Sequence, residues 1–316
     1  MFYKNLSRSK FSMLTLTLVL VIAFLLNGCG SPPAPTNTIN LADPGENATP
    51  TPSGGKAPLR IAVAAMISPD ETFGYYRDLL DYIGKKLGRS VELVQRDTYA
   101  EVNDLLEARQ IDAAFVCAGP YVTGHDKFGM ELVTAPVVNG EPVYYAYIIV
   151  PTDSSAQSLE DLRGKKFAFT DPNSNTGALV PTYMLGMIGE TPESFFGSFT
   201  FTLSHDNSIK SVADKIVDGA SVDSLIYDYL AATQPELIQK TRIIEKSPPY
   251  GIPPIVVHPD TDLELKAQLA QILLAMHEDP EGLAILNKLN IERFITVDDS
   301  LYDSVRQMNI WVTEHQ

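Results

Sequence analysis

Cysteine is almost absent: the chain has two, Cys29 and Cys117, and one tryptophan. Two cysteines allow at most one bridge, so no disulfide framework holds the fold. Cys117 ends the apolar run Ala113-Ala114-Phe115-Val116-Cys117, where a lone cysteine reads as a small core hydrophobe. Basic residues are also scarce, with Lys+Arg 24 against Asp+Glu 39 and a net charge of −15. That balance excludes a nucleic-acid binder and an electrostatic grip on anionic lipid. The five histidines, 125, 205, 258, 277 and 315, form no pair at metal-ligand spacing with one another or with a cysteine. G-x-G-x-x-G, the P-loop, H-E-x-x-H and G-x-S-x-G are all missing. No enzyme signature, metal or cofactor is therefore expected.

What is present begins with Lys4, Arg8 and Lys10, followed by an apolar run from Met13 to Leu26. That run is shorter than the roughly 20 residues a spanning helix requires and reads as a secretory signal, 1–28. It ends in Leu26-Asn27-Gly28-Cys29, which resembles the lipobox of bacterial lipoproteins. The resemblance implies that Cys29 is lipidated and that the mature chain is exported and anchored, in a periplasm or on a cell surface. Without the three positive charges of the signal the net charge falls from −15 to −18. An anion site in such a chain must depend on local donors, such as backbone N–H groups at helix N-termini. Residues 29–57, rich in Pro, Thr, Asn and Gly, have too little apolar surface to fold and are expected to form a disordered linker.

From Leu59 the pattern is that of an α/β protein. Strands at 59–65, 91–94 and 112–117 alternate with helices, the first carrying Phe73, Tyr76, Leu79, Leu80, Ile83 and Leu87 at helical spacing. Tyr144–Val150 is an extended run ending at Pro151. A second series follows: strands at 165–170, 199–203 and up to Val222, with a helix whose predicted face is Ile209, Val212, Ala213, Ile216 and Val217. Segments 242–245 and 254–257 lead back out, and the end of the chain is helical. The pattern predicts two α/β lobes joined by two crossings, a hinged clamp with a cleft between its halves. Lobe 1 is assigned 58–150 and 247–316, lobe 2 151–246.

Two strand-to-helix junctions carry more polar groups than capping needs. Ser174-Asn175-Thr176-Gly177 places three small polar side chains at a helix start, an arrangement suited to an anion. Pro181 lies just beyond, where it requires loose first turns. Ser204-His205-Asp206 opens the next helix, with His205 near its N-terminus, and Asp223 stands where an N-cap belongs.

The segments FTDPNSNTGALVP (169–181), SHDNSIKSV (204–212), VDSLIYDYL (222–230), MISPDETFGYYRDLLDYIGKKLG (66–88), DAAFVCAGPYV (112–122) and KSPPYGIPPIVV (246–257) resemble the phosphate/phosphite/phosphonate-binding proteins of ABC importers. The likeness covers nearly all of 59–316, and its most specific piece is D-P-N-S-x-[TS]-G with H-[DE] some 30 residues later. It implies the type II periplasmic-binding-protein clamp, a phosphorus oxyanion as ligand, a membrane permease as partner, and a monomer without enzymatic activity. By the same resemblance Ser174, Asn175, Thr176 and His205 hold the ligand's head, joined by Asp223, with Tyr99 and Tyr121 closing from lobe 1 and Ser68 beside them. Relatives that take aminoalkyl phosphonates place acids where this chain has Leu225 and Pro253, so phosphate, phosphite or an uncharged-tail phosphonate is expected. The competing readings are the same clamp binding another small solute and an exported enzyme acting on phosphate esters.

Overall fold

The computed structural model describes residues 38–40 and 57–315; the signal, Cys29 and the rest of the linker lie outside the described residues. In chain order the first strands are β1 (Thr38–Asn40), β2 (Leu59–Val63), β3 (Val91–Gln95), β4 (Ala113–Phe115) and β5 (Glu131–Val137). With β13 (Ile255–Val257) and β14 (Arg293–Ile295) they form a seven-stranded sheet in the order β1-β3-β2-β4-β13-β5-β14. The β2-β3 and β2-β4 pairs are parallel, as the β-α-β-α-β pattern requires, and β13 returns antiparallel to β4 and β5. β1 corrects one expectation. Three residues of the expected linker pair antiparallel with β3 through their backbones, at a sheet edge that offers unpaired N–H and C=O groups whatever the side chains.

Helix α1 (Pro69–Leu87) buries Tyr76, Leu79, Leu80 and Ile83 on this sheet and stops at Gly88, whose φ of 61° needs glycine's freedom. The side chain of Phe73 lies outside the described residues. α2 (Tyr99–Glu107) and α3 (Ala118–Phe128) bring Val102, Leu106 and Val122 to a second buried cluster, which includes Val305 from the last helix.

The second sheet has five strands, β11-β7-β10-β8-β9, from β7 (Ala146–Pro151), β8 (Lys166–Phe169), β9 (Ser198–Phe201), β10 (Gly219–Asp223) and β11 (Thr241–Lys246). β7 lies between β10 and β11, so the second lobe begins near Ala146 and not after Pro151. Every residue of β7 is buried, and a strand apolar on both faces shows no alternation by which to assign it. The crossings are β6 (Val143–Tyr144) and β12 (Tyr250–Gly251), paired with Tyr144 opposite Tyr250, so the hinge is a two-stranded antiparallel ribbon.

Helices α4 (Val180–Met187), α5 (His205–Ala213) and α6 (Ser224–Thr233) pack on this sheet. α5 ends at Ala213, earlier than its periodicity predicts. Lys215 takes a φ of 58°, the chain turns, and Ile216 is 63% exposed while Val217 stays in the core.

Candidate functional site

The loop after β8 folds around Ser174. Its Oγ accepts the Gly177 N–H at 3.0 Å, and its carbonyl accepts both Ala178 N and Leu179 N. Residues Asn175–Leu179 form one widened π turn before α4 begins at Val180. Such turns recur at functional sites. The widening also accommodates Pro181, which falls in the first turn of α4 where a missing N–H leaves no bond unmade. Gly177 is required by packing rather than by a ligand: a Cβ there would lie 2.4 Å from Thr170 Cβ.

Thr170 connects this loop to His205. Its Oγ1 is 3.1 Å from His205 Nδ1, and the same nitrogen accepts the backbone N–H of Asp223 at 3.1 Å. A backbone N–H can only donate, so Nδ1 carries no proton and the hydrogen sits on Nε2. Nε2 faces Ser174 Oγ at 3.5 Å. Burial drives the His205 pKa down to about 3, Asp206 opposing it weakly, which makes the ring a neutral donor.

Asp223 caps α6 through Oδ1, which accepts Leu225 N at 2.7 Å. Its Oδ2 is buried with no hydrogen-bond partner. Burial pushes its pKa up to about 7, although the Leu225 and Ile226 N–H groups pull it back.

Lobe 1 and the hinge complete the cluster. Tyr99 starts α2 behind a Thr98–Glu101 capping box, and its backbone N–H reaches across to Asp171 Oδ2 at 3.1 Å. Tyr144 stands on the hinge ribbon, its hydroxyl 3.1 Å from Asn175 Nδ2 and 3.4 Å from Cys117 Sγ. Burial, with Cys117 and Asp223 nearby, pushes both tyrosine hydroxyls far above their usual range. Four buried atoms here make no well-formed hydrogen bond in the protein, Tyr99 OH, Asn175 Oδ1, Thr176 Oγ1 and Asp223 Oδ2, although Tyr99 OH faces Ser174 closely enough to feel its hydroxyl. Leaving such groups unpaired costs about 1–3 kcal/mol each, and native proteins seldom accept it without a ligand to satisfy them.

The lobes are closed over this cluster. Asp206 Oδ1 and Oδ2 accept Ser68 N at 2.8 Å and Ser68 Oγ at 2.7 Å from the opposite lobe, and Lys210 Nζ lies 2.8 Å from Oδ2. Burial acts to raise the Asp206 pKa, but Lys210 and Ser68 outweigh it and hold the carboxyl below its usual value. His205 N also donates to Met66 O at 3.0 Å. The start of α3 sits so close that a Cβ on Gly119 would be 2.4 Å from Asn173 O.

The structure thus brings Ser174, Asn175, Thr176, His205, Asp223 and Tyr99 together. It places Ser68 in the interlobe contact with Asp206. Tyr121 is not brought in: its hydroxyl donates to Asp299 Oδ1 at 2.8 Å and its ring packs on Tyr302 at 4.5 Å. Two cluster members escaped sequence reasoning. Cys117 read as core, which it also is, and Tyr144 lay in a β-rich run with no polar context to mark it. Among the described residues no group of three or more His, Cys, Asp or Glu could hold a metal ion.

The family model for the periplasmic substrate-binding protein of phosphonate ABC transporters matches residues 61–302. The phosphonates-binding periplasmic protein of Escherichia coli K12 is 27% identical over 232 residues, 72% of this chain and 68% of that protein. Among solved structures, the binding component of a phosphonate ABC transporter from Pseudomonas aeruginosa superposes with a TM-score of 0.78 at 24% identity, covering 82% of this chain and 87% of that one. PhnD1 of Prochlorococcus marinus, solved with methylphosphonate, gives 0.73 at 17% identity, covering 81% and 98%. Because the family model spans more than half of the sequence, the chain belongs to the periplasmic substrate-binding proteins of phosphonate ABC transporters and has their type II binding-protein fold.

Proposed function

We propose that this protein captures a phosphorus oxyanion, phosphite, phosphate or a small phosphonate, by lobe closure and delivers it to an ABC permease. The observation that carries this reading is the set of four buried polar atoms that make no well-formed hydrogen bond, in residues of the cluster that also holds the His205 Nε2–H donor. Thr176 Oγ1, Tyr99 OH and His205 Nε2 can donate to anionic oxygens, and hydrogen bonds to a charged acceptor are the strong ones. Asp223 Oδ2 accepts the proton of a P–OH, so a single proton is shared between carboxyl and ligand. Closure without a ligand strands these groups, whereas closure around an oxyanion satisfies them; ligand and closed state are therefore coupled.

Catalysis is disfavoured by the state of the histidine in the cluster. His205 Nδ1 is occupied by the Asp223 N–H, and a ring with a pKa near 3 is a poor base. Lipidation at Cys29 would keep the receptor beside its permease and raise its local concentration there. Calorimetric titration at pH 8 with phosphite, phosphate, methylphosphonate and sulfate tests the reading. At least one phosphorus oxyanion should bind and sulfate should not. Binding of sulfate with no response to the other three would overturn it.

A further inference from the structure

Asp223 has a second neighbourhood. Beside the oxyanion cluster a cavity of about 70 Å³ lies between the lobes, with Asp223, Leu225 and Ile226 on one wall and Met66, Val138 and Pro253 among the residues opposite. Its lining is mostly apolar, Phe115, Ile255 and Phe294 included, with Tyr76 and Asn290 also reaching it. The other carboxylate at its edge, Asp228, is exposed, and Lys246 and Tyr147 partly offset the effect of its partial burial. Asp223 Oδ2 is the oxygen that the P–OH of the head requires, so an ammonium in the cavity meets only Asp228, solvated at the edge and already facing Lys246 and Tyr147.

We propose that this cavity is the subsite for the ligand's substituent and selects a short, uncharged alkyl group on phosphorus. The inference rests on the oxyanion reading above. Size sets the length: an apolar cavity of roughly 150 Å³ admits benzene, so half that volume takes about two or three carbons. Phosphite fills none of it, and phosphate would place a hydroxyl in a mostly apolar space beside Leu225 and Pro253, where it gains less than a methyl group. Ethyl- and propylphosphonate replace cavity by contact, each added methylene tightening binding about fourfold.

The test is calorimetry of the full-length chain with phosphite, methyl-, ethyl- and propylphosphonate and 2-aminoethylphosphonate. Propyl- and 2-aminoethylphosphonate are nearly equal in size and differ in charge. Affinity should rise about fifteenfold from methyl to propyl, and 2-aminoethylphosphonate should bind more weakly than methylphosphonate. Val138→Phe, which fills the cavity, should abolish the propyl gain and weaken propylphosphonate far more than phosphite, which places no group there. If phosphite and methylphosphonate bind but propylphosphonate is no tighter, or 2-aminoethylphosphonate matches it, this inference fails alone. Persistence of the propyl gain in Val138→Phe would also overturn it. If none of the five binds, the oxyanion reading fails and takes this one with it.

Discussion

Replacing Asp223 by asparagine separates the two uses of that carboxyl. Oδ1 accepts the Leu225 N–H, and an amide oxygen can do the same, so the cap of α6 survives. Oδ2 is buried and unpaired, and burial raises the folded pKa from 3.8 to about 7. Because the folded value is raised, the closed protein favours the protonated acid. Below about pH 4 the folded and unfolded states both hold the proton and no penalty arises. Between about pH 4 and 7 the unfolded chain releases it while the closed protein retains it, so stability falls; above 7 the loss is complete. Three pKa units bound that loss at ~4 kcal/mol, less to the extent that opening the lobes rehydrates the carboxylate. The amide, which does not titrate, would carry no such slope. In scanning calorimetry without ligand from pH 4.5 to 8.5, Asp223→Asn should gain steadily on wild type and exceed it by several degrees at pH 8. It should also lose affinity for methylphosphonate and gain affinity for sulfate, since the acceptor for the ligand's proton is gone. Parallel melting curves across the pH range, with sulfate binding unchanged, would refute the reasoning.

Other substitutions probe closure and site membership. Gly119→Ala puts a methyl against Asn173 O across the interface and should weaken ligand binding at least tenfold with little change in the ligand-free melting temperature; equal affinity would mean the lobes do not approach this closely. Ser68→Ala removes a 2.7 Å bond to ionised Asp206, worth about 1.5–3 kcal/mol, and should lower affinity for every ligand about tenfold to a hundredfold without changing their order in titrations. Tyr121→Phe should cost about 1 kcal/mol of stability through the lost Asp299 bond and leave binding intact, whereas Tyr99→Phe should lower affinity with little loss of stability. The reverse pattern in paired melting and titration experiments would exchange their roles.

Much of the fold was legible because its signals are local. The period of Tyr76, Leu79, Leu80 and Ile83 defines α1, and alternating strands and helices define two α/β lobes. Errors arose where a local pattern runs past a tertiary boundary. Ala146–Val150 is apolar on both faces and so carried no mark of its sheet, and Ile216 prolongs a helical period that Lys215 breaks. The site divides the same way. Ser174–Thr176 and His205 stand at junctions with more polar groups than capping needs, whereas Asp223 reads as an N-cap and joins the site only through the family resemblance. Tyr144 and Cys117 gain their place only when the hinge ribbon carries a tyrosine to Asn175, and Tyr121 is drawn aside by Asp299 from 178 residues away. No spacing in the sequence reports such meetings.

The central claim is that one cluster holds the oxyanion, and a crystal structure grown with methylphosphonate tests it most directly. The account requires phosphonate oxygens at hydrogen-bond distance, about 2.7–3.2 Å, from Thr176 Oγ1 and His205 Nε2, one oxygen on Asp223 Oδ2, and the methyl group toward Leu225. Methylphosphonate bound elsewhere, or oriented with an oxygen in the apolar cavity and its methyl on His205, would contradict it.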